Sequence, residues 1–140
     1  LDKTIYVTND ITVILSLVGQ LEGMVFYGMS QEMATNLASA ILEETFEEFD
    51  SLAQSGIAEL GNVITGKATV MLSKQNIHVN ISPPTMLLGK GAIISTLDVP
   101  RIVVPLISDQ GTIYIHLALR MGDHRSLRTE QLPIPVAPSF

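Results

Sequence analysis

Four residues in the middle of the chain have types and spacing that could do chemistry: Ser55, Glu59, Asn62 and Gly66. They lie in the run Ser55-Gly-Ile-Ala-Glu-Leu-Gly-Asn-Val-Ile-Thr-Gly66, which reads as the middle of a long helix. At about 100° per residue, all four fall on one narrow face. Ile57, Leu60, Ile64, Ala68 and Met71 fall on the opposite face, which is oily enough to bury. The polar face then carries a hydroxyl, a carboxylate and a carboxamide in a row, ending at a glycine. Gly66 costs roughly 1 kcal/mol of helix propensity relative to Ala, which suggests that something must approach closely there.

A row of Ser, Glu and Asn on an amphipathic helix is most often a solvated face and nothing more. Three features set this row apart. It is short and uncharged apart from Glu59, whereas solvated faces tend to be rich in Lys and Glu. Asn is a poor helix former because its side chain competes for backbone hydrogen bonds, so propensity does not explain Asn62. Gly56, Gly61 and Gly66 leave the helix thinly covered.

Several chemistries are unsupported. Glu59 and Asn62 do not make a nucleophile–base pair, and Ser55 has no His at a triad-like spacing. The three histidines, His78, His116 and His124, are scattered. His78 and His116 read as strand residues with satisfied hydrogen bonds, and no His-x-x-x-His or carboxylate cluster suggests a bound metal. There is no cysteine, so a disulfide, a thiolate nucleophile and a Cys-type metal site are excluded. Gly89-Lys-Gly91 lacks the spacing and the following helix of a phosphate-binding loop. What remains is a carboxylate that can grip a cation and a carboxamide that can orient water. That pair suits a hydrolysis in which a partner brings most of the machinery.

The motif Ser55-x-x-x-Glu59-x-x-Asn62, followed some twenty residues later by Pro83-Pro84, resembles the active-site signature of the CheC/CheX/FliY chemotaxis phosphatases. The words Ile57-Ala-Glu-Leu-Gly-Asn-Val-Ile-Thr-Gly66 and Asn80-Ile-Ser-Pro-Pro-Thr85 are similar to the CheX branch in particular. The likeness runs from the first strands to the region of Arg120. The proline lies slightly closer to Asn62 than is usual in the family. There is one copy of the motif, as in CheX-type relatives, where CheC-type relatives carry two.

The resemblance implies an enzyme that hydrolyses the aspartyl phosphate of a CheY-like response regulator. The regulator would supply the phosphorylated Asp, a bound Mg²⁺ and a Lys, and this chain would bind no cofactor or metal itself. Asn62 would hold the attacking water in line, and Glu59 would pair with the regulator's Lys. Such a reaction is mostly positioning plus electrostatics. Ser55, Gly66, Pro83 and Pro84 would support the site, Ser55 at its rim and Gly66 by permitting close approach. The alternative is a non-catalytic binding module that sequesters a regulator or assembles in the chemotaxis and flagellar apparatus. The branch also implies a homodimer through sheet edges, with Arg101–Ser108 and Thr112–Arg120 as candidate edges. Its members usually carry a further helix before the first strand, absent or cut in this chain.

The elements that must position the site follow from periodicity. Lys3–Thr8, Ile11–Val18 and Leu21–Met29 read as strands of an antiparallel meander, with a tight connection through Gly19 to Gly23. Ser30 is a plausible N-cap. Met33, Ala34, Leu37, Ala38, Ile41 and Leu42 then form the apolar stripe of a helix ending near Thr45. Glu43, Glu44, Glu47 and Glu48 make an acidic elbow, read as a solvated junction rather than a docking patch. Asp50 can cap the long helix, which runs to about Gln75. Short strands follow at His78–Ile81, Met86–Gly89 and Ile93–Thr96. Arg101–Ser108 and Thr112–Arg120 form a closing hairpin about Asp109-Gln-Gly111.

The fold class expected is therefore α+β: an antiparallel sheet with two main helices packed on it. One domain over residues 1–121 and an irregular, Pro-rich tail over 122–140 fit the 140-residue length. The chain is 46% hydrophobic but poor in aromatics, so its core should be aliphatic and Met. A net charge of −6 argues against a nucleic-acid partner, whose phosphates need a basic surface. No apolar run is long enough to span a membrane and no signal peptide is visible, so a cytoplasmic protein is expected.

Overall fold

The computed structural model describes residues 5–96 and 98–122. The elements in chain order are β1 (Ile5–Val7), β2 (Ile11–Gly19), β3 (Leu21–Met29), α1 (Gln31–Leu42), α2 (Ser51–Ser73), β4 (Val79–Ile81), β5 (Thr85–Leu88), β6 (Ile93–Ser95), β7 (Ile102–Ser108) and β8 (Gly111–Met121). The expected α+β class is borne out. Six strands form an antiparallel sheet in the order β4-β2-β3-β8-β7, with β5 also pairing with β2. Among the described residues, no helix is long and apolar enough to cross a membrane.

The uncharged run of β2 is apolar because both of its faces are covered. Val13, Leu15 and Leu17 join Val25, Tyr27 and Met29 of β3 on the face that carries the helices. Ile14 and Phe26 point the other way, against Tyr6, Leu87 and Ile94. β1 does not extend the meander as expected. It pairs with β6 in a separate two-stranded ribbon over this outer face. Its short length leaves one large side chain to anchor it: Tyr6 stacks on Phe26 with ring centroids 4.2 Å apart. Arg101 ties the ribbon down, donating from Nη1 to the carbonyl of Ile5 at 2.6 Å with its guanidinium over the Tyr6 ring.

Both helices start where their caps predict. Ser30 Oγ accepts from the Met33 amide at 3.0 Å, and Asp50 Oδ1 accepts from the Ala53 amide at 2.9 Å. Their ends come earlier than periodicity suggests. α1 stops at Leu42 because Glu43 turns left-handed, at φ 54°, short of Thr45. α2 stops at Ser73. Asn76, at φ 63°, then reverses the chain so that the Ile77 amide reaches the Leu72 carbonyl at 3.0 Å. Gly122, read as the first residue of the tail, still donates to the Gln20 carbonyl at 2.8 Å. The rest of the tail, and His124 within it, lies outside the described residues.

The two candidate dimer edges resolve differently. β8 lies between β3 and β7, so Thr112–Arg120 is interior and not an edge. β7 is the end strand, and every residue of it is exposed. Its pairing order places Ile102, Val104 and Leu106 on the helix side, beside Leu117, Ile115 and Ile113.

The expectation that His116 has satisfied hydrogen bonds is corrected by the structure. Its Nδ1 is buried with no hydrogen-bond partner, and its ring meets Tyr6 edge-on at 4.9 Å. Burial lowers the imidazole pKa from its ordinary 6.5, and the nearby positive charge of Arg101 lowers it further. The folded state therefore holds the neutral ring, whereas the unfolded chain takes up the proton near pH 6.5. This contribution to stability is complete above that pH and is lost as pH falls below it. Lowering the pH from about 7.5 to about 5.5 is thus expected to lower the thermal midpoint. His116→Phe keeps a ring against Tyr6 and is expected to flatten that decline. Equal slopes for both proteins in thermal melts would remove His116 as its cause.

Candidate active site on helix α2

The position of the site is set by how α2 sits on the sheet. Ala53, Ile57, Gly61 and Thr65, spaced by four, are its buried residues, with Leu60 and Ile64 half-buried beside them. Gly61 is the point of closest approach. A Cβ there would lie 3.0 Å from Val13 Cγ1 and 3.5 Å from the Tyr27 ring, so the missing side chain lets the helix backbone down onto β2 and β3. One turn on, the Tyr27 and Thr65 hydroxyls share a buried hydrogen bond of 2.7 Å. Burial raises the Tyr27 pKa and the bond to Thr65 opposes that rise, so the phenol stays neutral and available to the bond.

This seating turns the predicted face outward. Ser55 and Glu59 are exposed, and Asn62 and Gly66 half-buried, all on the side away from the sheet. Among the described residues, none of the Ser55, Glu59 or Asn62 side chains makes a hydrogen bond or ion pair. Other polar residues of the helix bond locally. Thr69 Oγ1 donates to the Gly66 carbonyl at 2.7 Å, Ser73 Oγ to the Val70 carbonyl at 2.6 Å, and Gln54 Nε2 to the Phe49 carbonyl at 3.0 Å. The carboxylate and the carboxamide, one turn apart, are thus uncommitted.

The three glycines divide. Gly61 faces the sheet, and Gly56 faces α1, where a Cβ would meet Leu42 Cδ1 at 3.1 Å. Only Gly66 is open: a Cβ there would meet nothing nearer than Ile81 Cδ1 at 4.0 Å. The expected apolar face is corrected at its far end. Ala68 and Met71 point in the buried direction, but among the described residues no element covers them, and Met71 is 67% exposed. Period gives the direction of a side chain, not the extent of its cover.

Pro83 is exposed and Pro84 half-buried. They sit in the break between β4 and β5, which both pair with β2 and both contact α2. Ser82 holds that break in register: its amide donates to the Ser16 carbonyl, and its Oγ accepts from the Ser16 amide, each at 2.9 Å. His78, just before β4, is exposed, and its amide donates to Gln20 Oε1 at 2.6 Å. Sequence reasoning overlooked three apolar residues on the outward side, Leu52, Val63 and Val70. Their spacing of eleven and seven residues on a nearly uncharged helix was the available signal.

Residues 11–106 match the family model of the chemotaxis phosphatase CheX. The chain belongs to that family. It is 29% identical over 119 residues to the CheY-P phosphatase CheX of Thermotoga maritima, a match covering 84% of this chain and 77% of the relative. The fold is also that of the chemotaxis protein CheX from Desulfovibrio desulfuricans. Their TM-score is 0.73 at 18% identity, over 86% of this chain and 79% of that one. The CheX–CheY–BeF3–Mg²⁺ complex from Borrelia burgdorferi is similar with a TM-score of 0.63 at 24% identity, over 86% of each chain.

The glycine geometry yields a paired prediction. Gly66→Ala fills open space in a helix interior and is expected to stabilise the protein by about 0.5–1 kcal/mol in denaturant titrations. Gly61→Ala is expected to gain nothing or to lose stability, because Val13 must give way. The reverse order would mean that α2 is seated differently.

Proposed function

We propose that this chain is a phosphatase that hydrolyses the aspartyl phosphate of a CheY-like response regulator. The observation that carries the reading is the uncommitted pair Glu59 and Asn62 on the outward face of α2. Membership of the CheX family supports it, as does the activity named for the Thermotoga maritima relative. The CheY partner of the Borrelia burgdorferi protein points to the same class of substrate.

In this reading α2 lies across the regulator's phosphorylation site. The Asn62 carboxamide accepts from and donates to a single water, holding its oxygen in line with the phosphorus. That oxygen bonds to phosphorus as the bond to the aspartyl oxygen breaks, releasing inorganic phosphate and a free Asp carboxylate. Glu59, one turn earlier, forms an ion pair with the regulator's Lys and fixes the approach. Mg²⁺ on the regulator supplies charge neutralisation at the phosphoryl oxygens. Gly66 admits the partner's backbone beside Asn62, and Ser55 lies at the rim. Pro83 and Pro84 shape the sheet edge next to the helix. The reaction takes place in the cytoplasm, where such regulators act.

The test is the decay of a phosphorylated CheY-type regulator, with Mg²⁺ and catalytic amounts of this protein. The parent is expected to accelerate decay, and Asn62→Ala to abolish the acceleration while leaving the fold intact. Glu59→Ala is expected mainly to weaken binding. Stoichiometric binding without faster decay would replace hydrolysis by sequestration.

The same reading includes a homodimer through the free edge of β7. An end strand whose Ile102, Val103, Val104, Leu106 and Ile107 are all exposed is a ready template for a second copy. Sedimentation is expected to give a dimer for the parent and a monomer for a Val104→Lys, Leu106→Lys double variant. A monomeric parent would remove this part of the reading.

A further inference from the structure

The exposed side of α2 does not look like a surface made for water. The helix is 23 residues long, yet carries only two charged side chains, Glu59 and Lys67. Four large apolar residues of it are exposed, Leu52 (50%), Val63 (40%), Val70 (56%) and Met71 (67%), and the first three share one direction. Leu52 and Val70 are eighteen residues apart, five helical turns, so they point in the same direction, and Val63 deviates from it by about 20°. The three form a strip roughly 27 Å long. Glu59 lies within the strip, between Leu52 and Val63 along the helix. Ser55, Asn62 and Thr69 flank it on one side only.

We propose that Leu52, Val63 and Val70 form an apolar docking strip that seats the regulator beside its phosphorylated Asp. The proposal rests on the phosphatase reading and adds the residues that recognise the partner. Its occupant is the apolar surface of a CheY-like receiver domain adjoining the phosphorylation site. Continuity through Glu59 argues for this occupant: Glu59 projects about 60° from Asn62 and about 40° from Val63, so a surface that spans Asn62 and Glu59 adjoins Val63. A carboxamide and one ion pair give orientation but bury little area. Apolar anchors beside them exclude water and hold the partner.

The experiment is steady-state hydrolysis with the cognate CheY-type regulator, phosphorylated by acetyl phosphate and varied in concentration. For Val63→Asp, Val70→Asp the KM is expected to rise about tenfold or more, with kcat within about twofold of the parent. Asn62→Ala is expected to do the opposite, losing kcat while regulator binding persists. Val63→Ser, Val70→Ser is expected to give an intermediate rise in KM. Met71→Ser, at a still more exposed position about 100° around the helix, is expected to change nothing. Helical circular dichroism and thermal midpoint, measured for each variant, separate lost docking from lost folding. An unchanged KM for both double variants, with the parent active, overturns the strip and leaves the phosphatase reading standing. A parent that does not accelerate decay overturns both.

Discussion

The structure depends on the contact of α2 with the sheet at Gly61. With no side chain there, the helix backbone settles against Val13 and the Tyr27 ring, and one turn later Thr65 meets the Tyr27 hydroxyl. These two features lock both the rotation and the register of the helix. Turning or sliding it by one residue would press a side chain into β2 and strand two buried hydroxyls. Each would cost about 1–3 kcal/mol without its partner. Burial of Ile57 adds about 1.5–3 kcal/mol to the same arrangement. The outward direction of Glu59 and Asn62 is therefore a consequence of packing on the far side of the helix.

That division of labour lets α2 carry residues that helix propensity disfavours. Asn62 and Gly66 each weaken an isolated helix, and neither is buried against the sheet. The caps at Asp50 and the packed stripe from Ala53 to Thr65 hold the helix regardless. The edge at Ser82–Pro84 follows the same logic. The prolines interrupt the strand, and Ser82 restores through its amide and hydroxyl the bonds to Ser16 that the break would otherwise lose.

Local features were legible in the sequence, and non-local ones were not. The caps at Ser30 and Asp50, the two helices, the β2–β3 and β7–β8 hairpins and the shared face of Ser55, Glu59, Asn62 and Gly66 all follow from short-range chemistry and period. The partner of β1 was misread because Tyr6 chooses it by stacking on Phe26, which adjacency in sequence does not reveal. The sequence leaves both β7 and β8 as candidate edges, because strand order in a sheet is set by pairings distant along the chain. Ala68 and Met71 were placed on the correct side of α2, but nothing local says where the covering layer ends. Gly61 was grouped with Gly66, although one meets the sheet and the other open space, a distinction made only by the neighbouring elements.

The freedom of the Glu59 and Asn62 side chains has a consequence for the lifetime of any complex they make. No internal bond fixes their rotamers, so ordering happens at the moment of encounter and costs about 0.5–1.5 kcal/mol for each. That entropy loss subtracts directly from affinity. It shortens residence without slowing arrival, since association is governed by diffusion and charge. A surface of this kind suits a partner that must be handled briefly and let go, so that one copy can serve many in turn.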